Sequence, residues 1–315
     1  MPDLNCADAL TAAGIEAYIK TSGVFRVEVR RKVTSTNALI RESAAAGAPE
    51  GHVIAAEEQT AGKGRQGRSF YSPAGHGVYF SLLLRPGCTA GEAVLITPAA
   101  AVAVALAIEE VYGVRTGIKW VNDLYADGKK VCGILTETVI GAESRLVESA
   151  ILGIGVNITE PEEGYPDEIK AVASALTDRS GGESGSESGG ESGDESGDES
   201  GRRCRLIAAI LDNFWGYYKP GDGSASRARA GQSSVPCPAQ RTVPGLMSRG
   251  FLDEYRARSI VTGRDVFVLA GGGRRAAKAI AVDDDCGLVV QYESGETVTL
   301  TSGEVSIRAI DYQSD

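Results

Sequence analysis

Histidine is scarce in this chain. Its 315 residues include two, His52 and His76. Neither stands in a Ser-His-Asp or Cys-His constellation, so a relayed nucleophile is excluded, and both read as loop residues rather than bases. The six cysteines, Cys6, Cys88, Cys132, Cys204, Cys237 and Cys286, form no CxxC pair. That excludes a structural zinc site of the usual spacing and fits reduced thiols in a cytoplasmic protein. The first ten residues, MPDLNCADAL, lack the basic stretch and apolar run of a signal peptide. No apolar run reaches the roughly 20 residues of a membrane span. The longest, 93–108, is interrupted by Thr97-Pro98 and reads as a buried helix with Thr97 as N-cap and Pro98 as its first residue. A basic surplus is also missing. The formal net charge is −10, which excludes a general binder of nucleic acid or anionic membrane.

Much of that negative charge is local. Residues 180–201, SGGESGSESGGESGDESGDESG, carry seven acids and no base. With no apolar side chain to bury, the tract is expected to be a disordered insert. Outside it, 32 bases face 35 acids. A second break, 221–245, is rich in turn formers and reads as a flexible loop or linker.

Before the first break, alternation predicts strands at 24–33, 53–56, 78–84, 118–120, 131–135 and 146–156. Helical spacing predicts helices at 35–46, 97–112, 203–218 and 246–256, the first with Ser35 or Thr36 as N-cap. From 260 to 310 short β-runs and turn signals predict a small all-β barrel. The whole reads as an α/β core of about 220 residues followed by a β module.

The most informative segment is GKGRQGR, residues 62–68. Its glycines fit the G-x-G-x-x-G dinucleotide fingerprint, but that motif needs a helix after the third glycine and an acid about 20 residues on. From Arg68 the chain reads RSFYSPAG, poor helix material, and no Asp or Glu occurs from Arg68 to Gly91. The dinucleotide reading is rejected. The residues alone leave two alternatives open: a loop whose exposed N–H groups and cations Lys63, Arg65 and Arg68 hold a phosphate-like anion, or a solvated basic turn.

The run EEQTAGKGRQGRSFYSP (57–73) resembles the signature loop of biotin protein ligases, and further segments agree in the family's order. VTSTN (33–37) resembles its Ser-Thr-Asn motif, and IKWVNDLY (118–125) its Lys-Trp-Pro-Asn-Asp motif. KKVCGILTE (129–137) and GIGVN (153–157) resemble its next two motifs. SGEVSIR (302–308) resembles the close of its SH3-like domain.

The resemblance implies an α+β fold: a mixed-sheet biotin/lipoate ligase-like catalytic domain followed by a small SH3-like β-barrel. Residues 1–23 would be an N-terminal helical segment, 24–220 the catalytic domain with its insert at 180–201, 221–245 the linker, and 246–315 the SH3-like domain. It implies ATP, Mg2+ and biotin as ligands, biotinoyl-AMP as intermediate and a biotin carboxyl carrier domain as partner, in a monomer or homodimer. Because some 23 residues precede the first strand, the short form without a DNA-binding domain is expected, and no DNA or membrane partner.

Residue by residue, the resemblance assigns Ser35, Thr36, Asn37, Gln59, Lys63, Gly64, Arg65, Tyr79, Lys130 and Gly133 to the biotin pocket. Gly62, Lys63, Arg65, Phe70, Asn122, Asp123, Asn157 and Arg308 fall to ATP or the adenylate. Lys130, Arg65 and Asp123 are the catalytic candidates, and Asp123 lies near a possible Mg2+ through the phosphates. Ser35 could instead only cap its helix, Asp123 be a turn residue, and Tyr79 a core aromatic. Departures from the pattern are Val121 for proline, Phe70 for tryptophan, Lys63 for arginine and Thr34 for an acid. A lipoate ligase or octanoyltransferase on the same fold, a biotin-sensing repressor and a non-catalytic biotin-binding scaffold are the rival readings.

Overall fold

The computed structural model describes residues 9–177, 201–219, 243–270 and 273–307. The expectations for the acidic tract and the linker lie outside these, apart from residues 201 and 243–245; so does Arg308.

A short helix α1 (Ala12–Tyr18) is capped by the Thr11 hydroxyl, which accepts from the Gly14 N–H. Seven strands then build one sheet: β1 (Arg26–Val33), β2 (His52–Gln59), β3 (Gly77–Leu84), β4 (Gly117–Lys119), β5 (Asp123–Ala126), β6 (Lys129–Ile140) and β7 (Val147–Asn157). Their order is β1-β2-β3-β7-β6-β5-β4. β1 and β2 run parallel, joined over the sheet by α2 (Thr36–Ala45), and every other pair is antiparallel.

Period-two alternation gives the sheet two apolar faces. On one, Ile54, Leu83 and Ile151 pack under Ile40 of α2. The other carries the main core beneath α1, a short α3 (Ala90–Ala93), α4 (Ile96–Tyr112) and α5 (Arg202–Tyr218). The segment 90–112 is long and apolar enough to cross a membrane by length and composition, but 72% of its most apolar window is buried in the fold. Alanines at 99, 100, 101, 103, 105 and 107 are fully buried, which lets neighbouring elements approach α4 closely.

Behind this unit stand α6 (Pro244–Ser248), α7 (Leu252–Ala257) and a five-stranded antiparallel sheet: β8 (Asp265–Ala270), β9 (Gly273–Val282), β10 (Leu288–Tyr292), β11 (Thr297–Leu300) and β12 (Glu304–Ile307), in the order β11-β10-β9-β8-β12. This is the SH3-like module. It is anchored to the first sheet by the Trp120 indole, which donates to the Cys286 carbonyl at 2.8 Å, and by buried Arg258, which joins Glu109 of α4 and Glu254 of α7.

Four details differ from the sequence reading. α4 begins at Ile96 with Leu95 as N-cap, not at Pro98, and the Thr97 hydroxyl instead meets that of Thr136 at 2.8 Å. The single helix expected at 246–256 is two, broken where Arg249 takes a left-handed conformation. His52 is buried as the first residue of β2 rather than in a loop. Ser35 occupies the N-cap of α2 but its hydroxyl makes no capping bond; the Thr36 N–H donates to the Gln59 side chain instead, at 2.9 Å. The four described cysteines, at 88, 132, 204 and 286, are buried thiols.

One buried ion pair ties the core together. Arg203 of α5, 3% exposed, meets Glu57 of β2 at 2.6 Å. It also donates twice to the Gly77 carbonyl of β3, at 3.1 and 2.8 Å, while Glu57 accepts the Leu10 N–H at 2.8 Å. Removing one member strands the other's charge without water. Arg203→Ala is therefore expected to lower the unfolding free energy by about 3–5 kcal/mol, with much less lost in Glu57→Leu/Arg203→Met. Urea unfolding of the two variants, with equal midpoints as the contrary result, tests this.

Candidate functional site

The sheet face under α2 would be closed by side chains if β6 and β7 continued their apolar pattern. Glycines interrupt it. A Cβ on Gly153 would lie 2.0 Å from Asn37 Oδ1, and one on Gly155 2.5 Å from the Phe70 ring. A Cβ on Gly133 would meet the same ring and the Lys130 stem at 3.1–3.2 Å. These absences leave a hollow, partly open to solvent, between the sheet and the loop above it.

Its closed end is polar. Ser81 of β3, fully buried, donates towards Asn37 Oδ1 at 2.6 Å and meets the Thr36 hydroxyl at 2.8 Å. The Asn37 amide donates to Glu137 Oε2 at 2.8 Å, and Arg41 pairs with the other Glu137 oxygen. Burial alone would raise the Glu137 carboxyl; the bonds from Asn37 and Arg41 outweigh it and hold the group below the usual carboxylate range. Gln59 braces three elements: its oxygen accepts from Thr36, and its amide donates to Ser72 at 3.0 Å.

The glycine-arginine loop forms the lid. It is a small hairpin, with Gly64 N–H to Arg68 O at 2.7 Å and Phe70 N–H to Gly62 O at 2.8 Å. The turn has Gln66 and Gly67 at positive φ, and no helix comes after it, so the dinucleotide fingerprint is absent in three dimensions too. The Arg65 guanidinium donates to Asn122 Oδ1 at 2.9 Å and to the Gly303 carbonyl at 3.1 Å. Arg68 forms a bidentate pair with Glu304 at 2.9 and 2.5 Å. The bond from Arg68 holds the Glu304 carboxyl below its usual range. Both arginines thus clasp the lid to the SH3-like module.

Opposite the lid, Asn122 sits in the tight connection between β4 and β5. The preceding Trp120–Val121 peptide is cis, and the Tyr255 hydroxyl donates to the Val121 carbonyl at 3.2 Å. The Asn122 amide donates to Asp123 and to the Ile134 carbonyl, both at 2.9 Å. Asp123 pairs with Lys130 at 2.7 Å. A second cavity, of about 560 Å3, opens here and shares Gly64, Arg65, Phe70, Asn122 and Lys130 with the first.

The first cavity therefore gathers Ser35, Thr36, Asn37, Gln59, Lys63, Gly64, Arg65, Phe70, Asn122, Lys130 and Gly133, and the second adds Asp123. Three expected residues line neither. Tyr79 stands behind Phe70, ring centroids 6.4 Å apart, and its hydroxyl donates to the Pro73 carbonyl; burial pushes that phenol well up. Asn157 turns its amide to the Ser174 carbonyl at 3.0 Å, so it ties down the segment after β7 rather than facing the cavities. Gly62 permits a close crossing, since its Cβ would lie 2.4 Å from the Phe70 carbonyl. Sequence reasoning missed Ser81 and Glu137. The signal for Ser81 was the one hydroxyl between apolar neighbours in YFSLL. Glu137 closed a quoted motif, but only the fold reveals its partner Asn37. Among the described residues no group of three or more His, Cys, Asp or Glu side chains converges to hold a metal ion.

Comparison with known proteins gives the same outline. The family model of the biotin/lipoate A/B protein ligase family matches residues 29–157, and that of the biotin protein ligase C-terminal domain matches 262–308. A bifunctional ligase/repressor BirA of Bacillus subtilis is 44% identical over 149 residues, 47% of this chain and 45% of that protein. A biotin–[acetyl-CoA-carboxylase] ligase of Mycobacterium tuberculosis is 36% identical over 159 residues, 46% of this chain and 54% of that protein. The matched region thus spans about half the length of these curated relatives. A solved biotin protein ligase of Aquifex aeolicus, in complex with biotin and ATP, superposes with a TM-score of 0.62 at 24% identity, covering 90% of this chain and 98% of that one.

The glycine floor gives a direct test of the first cavity. Gly153→Ala is expected to displace the Asn37 side chain from the floor, because the new methyl would lie 2.0 Å from its Oδ1. A crystal structure of the folded variant in which Asn37 keeps its bonds to Ser81 and Glu137 would count against a floor that tight.

Proposed function

We propose that this chain, which belongs to the biotin/lipoate A/B protein ligase family, activates biotin with ATP to biotinoyl-AMP and transfers biotin to a lysine of a biotin carboxyl carrier domain. One observation carries the reading: two cavities, one floored by glycine and ringed by small polar groups, the other walled by cations, meet at Lys130 and Arg65.

In this reading the fused rings of biotin enter the first cavity, where Ser35, Thr36 and Asn37 offer hydroxyl and amide groups to the ureido head. The valerate tail runs along Gly133, leaving the carboxylate at the shared wall beside Lys130. The nucleotide fills the second cavity. A biotin carboxylate oxygen attacks the α-phosphorus of ATP, the new O–P bond forms, the bond to the bridging oxygen breaks and pyrophosphate leaves. Negative charge builds at the α-phosphate, and Lys130 and Arg65 lie where it builds. No protein nucleophile is required, in keeping with the lack of any histidine relay.

Lys130 is paired with Asp123. An anionic substrate can draw the ammonium away from that carboxylate, leaving Asp123 free to face the phosphates. One carboxylate suits a Mg2+ ion that arrives on ATP and keeps phosphate and water as its other ligands; the metal is then part of the substrate. In the second half-reaction the neutral amine of the carrier lysine attacks the mixed-anhydride carbonyl. The N–C bond forms, the acyl C–O bond breaks, AMP leaves and the amine proton is lost to solvent. Until then the 62–70 hairpin covers the adenylate and excludes water.

Incubating the protein with biotin, Mg-ATP and a carrier domain is expected to release pyrophosphate and give streptavidin-detectable label, and Lys130→Ala to slow both by about a hundredfold or more. Carrier modification that depends on lipoate instead of biotin, read by the mass of the carrier domain, would transfer the reading to the lipoate enzymes. A separate outcome concerns the lid. Arg65→Gly removes the bridge between Asn122 and Gly303, so biotinoyl-AMP is expected to escape and label bystander proteins. Labelling as selective as that of the unaltered protein would sink the assigned role of Arg65.

A further inference from the structure

The second cavity is walled by four cations, and three of them are already engaged. Arg65 is bonded to Asn122 and Gly303, Arg68 to Glu304, and Lys130 to Asp123. The fourth, Lys119, is the last residue of β4. Among the described residues its ammonium has no ion pair and no hydrogen bond. Its nearest defined partner is the Tyr125 ring, with the nitrogen 5.5 Å from the centroid. The group is half-buried, and burial pushes its pKa down; Asp123 and Glu304 offset this only in part, while Lys130 and Arg68 add to it. A half-buried cation on a cavity wall, with no carboxylate within bonding distance among the described residues, is stabilised when an anion completes it.

Its position says which anion. Lys130 and Arg65 line both cavities, so they lie at the junction where the α-phosphate must sit. Lys119 is absent from the wall of the first cavity and lines the second. It also lines a further open groove of about 1020 Å3 on its other side, with Arg115 and Arg264. In-line displacement sends the leaving group away from the nucleophile. With biotin in the first cavity, the leaving group points towards Lys119 and then towards that basic groove.

We propose that Lys119 is a pyrophosphate-binding residue, which holds the β- and γ-phosphates of ATP during attack on the α-phosphorus and passes the released pyrophosphate into the groove lined by Arg115 and Arg264. This rests on the biotin-activating reading above. Lysine suits the task, because a compact point charge on a flexible stem can follow a departing anion, whereas a bidentate guanidinium would fix it. The bond changes are those of the first half-reaction; Lys119 exchanges no proton and supplies charge alone.

The test is biotin-dependent exchange of labelled pyrophosphate into ATP, using the full chain and inorganic pyrophosphate as probe. Lys119→Met keeps the stem that packs on Tyr125 and removes the charge. The KM for pyrophosphate is expected to rise about tenfold or more, the size of one lost charge-assisted bond, while the KM for biotin moves less than twofold. Lys119→Arg is expected to recover most of the loss, which a merely structural stem would not require. Equal pyrophosphate KM values in the wild-type and K119M proteins, or an equal rise in the biotin KM, would overturn the assignment of Lys119 while leaving the activity standing. Absence of any biotin-dependent exchange in the wild-type protein would overturn both.

Discussion

Everything at this site depends on three missing side chains. Gly133, Gly153 and Gly155 lie on neighbouring strands of one sheet, on the face covered further along by Ile151 and α2. Where the apolar residues stop and the glycines begin, the close-packed interior gives way to a hollow. Asn37 can then reach down to the backbone and Phe70 can lie on it, and the hydrogen bonds of Ser81, Glu137 and Gln59 hold these groups in fixed positions. The strands provide rigidity and the glycines provide space, so the cavity is pre-formed and the cost of ordering a ligand within it is reduced.

The cationic half is built on a different rule. Its charges sit on a hairpin and at strand ends: Arg68 and Lys130 are each paired with a carboxylate, and Arg65 is bonded to an amide oxygen and a backbone carbonyl. Such pairing lets several cations crowd around two cavities without mutual repulsion dominating. Lys119 departs from the rule, and that departure marks it out.

The sequence made much of this legible because the chemistry is concentrated in contiguous motifs. The residues of GKGRQGR, VTSTN and KKVCGILTE converge as expected, since each motif sits where a strand meets a loop and its spacing is fixed locally. Long-range partners were harder to see. Glu137 matters through Asn37, 100 residues away, and Glu304 through Arg68, 236 residues away; no local pattern encodes either pair. Asn157 and Tyr79 show the reverse case. Both stand beside the site in the chain's register, but strand alternation and the fold of the following segment turn their polar atoms to Ser174 and Pro73. The start of α2 is a related case: Ser35 stands at the N-cap as expected, but its hydroxyl makes no capping bond, and the Thr36 N–H goes to a glutamine 23 residues on.

The clasp between Arg65 and the Gly303 carbonyl spans 238 residues of sequence. A contact of that separation closes late, because the intervening chain must be ordered before the bond returns anything. During synthesis the seven-stranded sheet and its hollow can form while β12 is still unmade, as domains emerge and fold from the N-terminal side first. The nascent protein therefore passes through a stage in which the pocket exists and its lid has no latch. The latch arrives with β12, after the sheet and its hollow, and a chain that stops short of that strand would have the hollow without the clasp.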